Sequence, residues 1–438
     1  MRKNMQKFGI VLLLLVVSVG TSFAQSIHGE VNGGLTYTWD KDEKNLEQSA
    51  AITGFRLVLE DDVEPSGQVH FSVKGSVDWK TKKTHLAADQ LWYSGYAGDV
   101  DFKIGRQVIS WGTADGFNPT NYFARLSTDA LTDGELGGDP IWAGQATYYG
   151  PGWSVTGVAI PFFKPQEIDT QMEELMIKGA AEKTLEEQLM VQQILQAVNA
   201  TKKPRALGKN TELALRAETQ FQGFDVQASV FTGFEPLPGL ELVTEPNPNF
   251  DSSDPDNPLN PPVIAKVKGE YRRQYFVGLA TAGTVGPMGV WGEVTYGGPK
   301  PFEKSANPYD QVLSVNKNYL QAVVGGDYTF EVGKGLLAQA QYIYRGQGGL
   351  LAPYGQEEER EAAHYLYGRL GYDFSLDSTV DLVLVHGVKE KGGIVRSSYT
   401  HRFPNSIQLE LSALGVYGKD SDFYNLPSQV RAGVTYKF

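Results

Sequence analysis

The feature that most constrains this chain is an apolar–polar alternation of period two that recurs from Ile27 to the last residue. Ile27, Val31, Leu35, Tyr37 and Trp39 occupy odd positions, with His28, Glu30, Asn32, Thr36 and Thr38 between them. Successive side chains of a strand point to opposite faces, so such a segment presents one apolar and one polar face. Phe55, Leu57 and Leu59 interleave with Arg56 and Glu60, and Val69, Phe71, Val73 and Val77 with His70, Ser72, Lys74 and Ser76. Leu213, Leu215 and Ala217 interleave with Glu212, Arg216 and Glu218; Leu320, Ala322 and Val324 follow the same rule, with Asp327 on the opposite face. An all-β fold follows.

Alternation alone also fits a soluble sandwich. Three further features select a transmembrane antiparallel up-and-down β-barrel. The alternating runs are about 10–13 residues, longer than the usual ~5–6 of soluble sheets and matched to a tilted bilayer span. Aromatic residues gather near their ends, as an interfacial girdle requires: Tyr37, Trp39, Trp79, Tyr148, Trp153, Tyr344 and Tyr417. The last run, Val430, Val434, Tyr436 and Phe438, closes on an aromatic residue. It resembles the C-terminal signal by which barrel-assembly machinery recognises outer-membrane proteins. The mean hydropathy of −0.29 is compatible with a barrel, whose strands are only half apolar.

The N-terminus points to export. Arg2, Lys3 and Lys7 precede a ten-residue apolar core, Phe8 to Val17, and Ser22-Phe23-Ala24 offers a small-x-small cleavage site. Residues 1–24 read as a signal peptide, too short for a spanning helix, with 25–438 as the mature barrel. Elsewhere no apolar run approaches the ~18 residues of a membrane helix. With 39 basic and 51 acidic residues the net charge is −12, which argues against nucleic-acid binding. The absence of cysteine excludes disulfides and thiolate chemistry.

The expected strands are 26–39, 50–61, 68–80, 87–97, 100–111, 140–150, 152–163, 211–222, 224–234, 267–282, 289–297, 318–331, 335–345, 362–374, 379–389, 394–403, 406–417 and 429–438. That is about eighteen, with sixteen left open by the uncertainty of such boundaries. An even count puts both termini on the periplasmic side. Short turns then fall on that side, at Gly98-Asp99, Gln222-Gly223 and Pro404-Asn405, and long loops on the other.

Three long loops stand out. Residues 166–200 abandon alternation: Ile168, Met172, Leu175, Met176, Leu185, Leu189, Ile194, Leu195 and Val198 recur at three-to-four spacing, predicting a helical external insertion. Residues 235–262 hold eight prolines and six acids with no Lys or Arg, predicting a solvated irregular loop. The third external loop, 112–139, carries Asp115, Asp129, Asp133, Glu135 and Asp139 against one base, Arg125. It is long enough to fold inward as a pore constriction. Parity places Arg56, Lys74, Arg369, Arg396, Arg402 and Arg431 inward, on strands that become contiguous when the barrel closes. These bases would line one wall opposite the acidic loop, and Arg106 at the loop's root would pair with one of its carboxylates.

Ile104-Gly105-Arg106-Gln107-Val108-Ile109-Ser110-Trp111-Gly112, followed by Asn118-Pro119-Thr120-Asn121, resembles the GRQ…WG…NP signature of a family of porin-like outer-membrane proteins of uncharacterised function. A looser likeness reaches porins of the alginate-export type. The stretch Asp89 to Arg125 carries the resemblance, and it implies an outer-membrane barrel with a channel function.

The histidines, at 28, 70, 85, 364, 386 and 401, show no paired metal spacing, and neither a Gly-x-Ser-x-Gly elbow nor a phosphate-binding loop is present. The reading is therefore not an enzyme and needs no cofactor. It is an outer-membrane channel for passive or weakly selective diffusion of small hydrophilic solutes. The alternative is a barrel-anchored surface interaction or assembly protein that uses its long external loops. Expected partners are outer-membrane lipid, the barrel-assembly machinery and small solutes, not nucleic acid. The residues leave monomer or oligomer open, since a trimer face is as apolar as a lipid face.

Overall fold

The computed structural model describes residues 26–438 except 41–44, 64–66, 125–137, 167, 169–172, 174–175, 178–183, 248, 250–262, 351–353, 355–360, 420, 422 and 425. Its strands are, in order, β1 Ser26–Asp40, β2 Asn45–Val63, β3 Gly67–Asp78, β4 Lys83–Ala97, β5 Val100–Gln107, β6 Ile141–Gly150, β7 Trp153–Ile160, β8 Glu212–Phe221 and β9 Phe224–Phe234. There follow β10 Gly239–Pro246, β11 Val263–Glu270, β12 Arg273–Val285, β13 Met288–Pro299, β14 Gln311–Val312, β15 Tyr319–Phe330 and β16 Leu336–Arg345. The last five are β17 Ala363–Ser375, β18 Ser378–Gly387, β19 Gly392–Arg402, β20 Ile407–Tyr417 and β21 Gln429–Lys437. A helix, α1, spans Leu185–Ala200, and a single 3-10 turn follows at Gly208–Asn210.

Eighteen of these strands form one antiparallel sheet in which each pairs with the next, β9 with β12 and β13 with β15. The sheet closes where β1 pairs with β21, in the register Gly33↔Val434. The terminal Phe438 completes that seam through Gly29 N to Phe438 O at 2.9 Å and Phe438 N to Gly29 O at 3.0 Å. A closed barrel leaves no backbone edge unpaired, which a bilayer requires.

The outward face is apolar. Leu215, Val324 and Val434 expose 50%, 60% and 47% of their surface, and Leu213, Val277, Leu366, Leu382 and Leu411 follow the same parity. Trp39, Trp79, Tyr148, Trp153 and Tyr417 are exposed near strand ends, where girdle residues belong. One barrel end has only short turns, such as 98–99, 151–152, 222–223 and 286–287. Gln222 and Gly223 both take positive φ, the two-residue hairpin geometry that suits strand twist. The other end carries the long connections.

The expected boundaries need three corrections. First, β5 stops at Gln107, not 111, and residues 108–124 run as irregular backbone. Second, β12 starts at Arg273; residues 267–270, expected to open that strand, belong to β11. Third, residues 235–262 are not wholly irregular, because β10, β11 and β14 form a separate three-stranded sheet. Pro238 and Pro246 bound β10 rather than break it, a position sheets tolerate. Helix α1 begins with a capping box between Thr184 and Glu187. It packs Ile194, Ala197 and Val198 on Leu240, Val267 and Leu313, giving this cap its own small core. Arg272, 4% exposed, ties the cap to the barrel. Its guanidinium donates to Glu235 at 2.7 and 2.9 Å and to Asn316 Oδ1 at 2.9 Å, and it lies over the Phe302 ring.

Candidate functional site

The segment 108–124 leaves β5 and lies against the inner faces of strands across the barrel. Its anchor is Glu293 of β13, an inward carboxylate 3% exposed. Glu293 Oε1 accepts from Thr113 N at 2.5 Å and Ala114 N at 2.9 Å; Oε2 accepts from Thr120 N at 3.0 Å and Thr120 Oγ1 at 2.7 Å. The loop closes on itself through Ala114 N to Asn118 Oδ1 at 2.9 Å and Trp111 N to Asn121 Oδ1 at 3.3 Å. Tyr122 meets Ser229 of β9 at 3.0 Å, and Gln341 of β16 donates to Phe117 O at 3.0 Å. Backbone N–H groups removed from water need such partners, and one carboxylate supplies most of them here.

Two glycines of the GRQ…WG stretch are required by this path. Gly105 takes φ 134°, and a Cβ there would fall 2.2 Å from the Leu91 carbonyl oxygen. Gly112 takes φ 98°, and a Cβ would fall 2.7 Å from Glu293 Oε1. Gln107, 1% exposed, donates to Lys103 O and Ala143 O at 3.1 Å each.

Apolar packing holds the loop from both sides. Trp111, Tyr122 and Phe123 meet Phe231 and Phe276 of the wall, with Tyr122 stacked on Phe231 at 5.0 Å. Ala114 joins a second cluster of Trp291, Val323, Ile343, Tyr365, Val385, Ile394 and Leu414 from β13 and β15–β20, capped by Phe423 and Leu426.

The expected bases lie on the wall running from β17 through β21 and β1 to β3. Most are paired. Arg369 Nη2 meets Asp381 Oδ1 at 2.6 Å and Arg396 Nη2 meets Glu410 Oε1 at 3.4 Å. Arg56 Nη2 and Lys74 Nζ converge on Asp89 at 3.0 and 3.3 Å. Arg431 reaches across Gly34 of β1, and Arg402 ends β19 beside the 403–406 turn. Asp89, Asp381 and Glu410 were not among the carboxylates expected to meet these bases. Glu60 Oε1 lies 2.8 Å from His70 Nδ1.

Of the expected loop acids, Asp115 accepts from Gln339 Nε2 at 2.7 Å and lies in electrostatic range of Arg369 and Tyr367. The structure therefore brings one loop acid to the basic wall. Asp139 pairs with Lys164 at 2.7 Å. Burial pulls its carboxyl up, but the Lys164 hydrogen bond and the charges of Lys164, Lys74 and Arg106 outweigh that and hold it below the usual range. Arg125, Asp129, Asp133 and Glu135 lie outside the described residues. Arg106 Nε donates to the main-chain oxygen of Asp89 at 2.8 Å, tying β5 to β4, and its charge reaches the loop acid Asp139; the loop acids at 129, 133 and 135 lie outside the described residues.

Two features escaped the sequence reading. Glu293 sits alone in an unremarkable strand; the only hint was a loop rich in backbone donors that needed an acceptor. The second is a stack on the inner wall, where Trp92 of β4 is flanked from neighbouring strands by His70 at 4.8 Å and Lys103 at 4.0 Å. Among the described residues no group of three His, Asp or Glu is placed to hold a metal ion.

No family model matches the chain, and no curated protein matches it. Solved structures do. It resembles OccK8 (OprE) of Pseudomonas aeruginosa at 10% identity over 95% of this chain and 99% of that one, with a TM-score of 0.50. It also resembles OccK5 (OpdH) of the same organism, at 9% identity over 95% and 99%, again with a TM-score of 0.50. These likenesses are of fold alone, and the fold of this chain is a closed eighteen-stranded antiparallel β-barrel.

Proposed function

We propose that the protein is an outer-membrane channel for passive, weakly selective diffusion of small hydrophilic solutes. The observation that carries this is the inward loop at Asp115 set against the Arg369 side of a charged inner wall, inside a barrel whose outer face is apolar. A polar lumen of about eighteen strands admits water and ions. Opposed charges at a narrowing orient solutes and sort them by sign. In this reading residues 1–24 are removed on export, and β21 with the Phe438 that follows it is the assembly signal. Arg125, Asp129, Asp133 and Glu135 continue the constriction begun at Asp115.

Planar-bilayer recording tests it. The purified protein should give discrete conductance steps, and Arg396→Gln with Arg431→Gln should shift the reversal potential toward cations. Absence of steps would refute the channel. The α1–β10–β11–β14 cap, with its own apolar core, favours a second reading as a barrel-anchored interaction protein. A folded but silent barrel would support that one.

A further inference from the structure

We infer that Asp89 is a selectivity-determining residue of the lumen, acting as the buried counter-charge that offsets half of an Arg56–Lys74 cation pair. The inference rests on the channel reading above.

The backbone makes the placement. β3 and β4 pair Phe71 with Leu91 and Val73 with Ala88, so Asp89 and Gln90 together oppose Ser72. This is a β-bulge, a device that re-aims a side chain. Leu86 is exposed on the even phase before it, and Leu91 and Tyr93 on the odd phase after it. Without the extra residue, either Asp89 would turn toward lipid or the two apolar side chains would turn inward. Ser72 fixes the bulge, accepting from Gln90 N at 3.0 Å and lying 3.4 Å from Asp89 Oδ2.

The charges are layered. The Asp89 side chain is 9% exposed, whereas those of Arg56 and Lys74 are 39% and 50% exposed. A passing ion meets two cations, with the carboxylate behind them. The triad carries one net positive charge in place of two. Arg369 meets Asp381 and Arg396 meets Glu410, whereas the triad itself sets two bases against one acid, with Arg106 and the Asp139 carboxylate in electrostatic range.

Reversal potentials of single channels in a salt gradient test this. Asp89→Asn is expected to raise the anion-to-cation permeability ratio about ten-fold, because one unit charge roughly 6 Å from an ion in water acts about three-fold on each sign, in opposite directions. Arg56→Gln and Lys74→Gln should each lower the ratio. Combining Asp89→Asn with Arg56→Gln removes one charge of each sign and should return the ratio close to wild type, a compensation that a merely structural role would not produce. An unchanged ratio in a conducting Asp89→Asn channel overturns the inference, as does a double variant that stays anion-shifted. If Asp89→Asn does not fold, the two base variants decide: no shift in either overturns it. A silent wild-type barrel would instead refute the channel reading itself.

Discussion

Glu293 should be the main polar anchor that keeps residues 108–124 inside the barrel. It accepts three backbone N–H groups and one hydroxyl, at 2.5 to 3.0 Å, and is 3% exposed. Hydrogen bonds to a charged group contribute about 1.5–3 kcal/mol each, and a buried donor left without a partner costs about 1–3 kcal/mol. Glu293→Ala strands three of the four donors, since Ala114 N keeps Asn118 Oδ1 at 2.9 Å. Allowing for water entering the space, the docked loop should lose on the order of 4–6 kcal/mol relative to the undocked one. Each ~1.4 kcal/mol is tenfold in population, so a large fraction of molecules should release the loop unless the Tyr122–Phe231 packing alone holds it. Glu293→Gln keeps the shape and one acceptor oxygen but turns an NH2 toward two of the donors, so about half the effect is expected. Barrel strand pairing does not involve this side chain, and heat-modifiable mobility should be unchanged. The assays are single-channel conductance and noise, with protease cutting within 108–124. Conductance and noise should rise and cutting should appear, in the order Ala, Gln, wild type. Wild-type values in both variants would refute the anchoring argument.

The face assignment is tested by a pair of substitutions. Val324→Arg puts a charge on the lipid face at a cost of roughly 2–4 kcal/mol and should block insertion. Asp327→Arg should insert and alter conductance; equal tolerance would contradict the assignment. Deleting 168–205 with a short Gly/Ser bridge should leave a heat-modifiable barrel, because β7 and β8 pair directly from Trp153↔Thr219 to Ile160↔Glu212. The same deletion uncovers Leu240, Val267 and Leu313, so the cap should become protease-sensitive. Burial pushes the Glu235 carboxyl up from 4.5 to about 7 against the pull of Arg272. The folded cap thus holds a proton that the unfolded chain releases, a contribution complete at low pH and lost as pH rises through about 7. Protection of α1 should fall over that window, and Glu235→Gln should flatten the profile.

The barrel was legible because water inside and lipid outside impose a two-residue period on every strand, and about eighteen repeats of one signal tolerate errors at individual ends. The failures have separate physical causes. In β10, Leu240 and Leu242 alternate as a strand should, but the flanking prolines and acids spoke for a loop, and only packing under α1 decides. In β4 the phase change between Leu86 and Leu91 marks the bulge at Asp89, a signal present in the residues but easily taken as the start of a strand. The basic wall was legible from parity, but its partners were not, because parity gives the face of a residue and not which neighbour its side chain reaches. Glu293 was not legible at all: its partners are backbone N–H groups about 175 residues earlier, whose chemistry leaves no trace in residue type.

One further sequence signal bears on where a solute can pass. Near the long-loop end, several strands are apolar on both faces: Val323-Val324, Val383-Leu384-Val385 and Ile394-Val395. Continuous apolar runs mean burial on both sides, and here the inner side is covered by loop residues such as Ala114, Phe423 and Leu426. On the same strands the ion pairs lie one or two pleats toward the short-turn end: Arg369 beyond Tyr365, Asp381 beyond Val385, Arg396 beyond Ile394, Glu410 beyond Leu414. The apolar plug thus sits directly over that part of the charged belt. Neither apolar cluster contains a residue of β1–β5 or β21 among the described residues. A solute entering from the long-loop side should therefore descend along β21 and β1–β5, passing the Arg56–Lys74–Asp89 triad before it reaches Arg396 and Arg369. A low-dielectric plug on one side and charges on the other concentrate the field in the water between them. Substitutions at the triad should consequently change selectivity more than equal substitutions at Arg369. Equal shifts from Lys74→Gln and Arg369→Gln would place the path at the centre of the barrel instead.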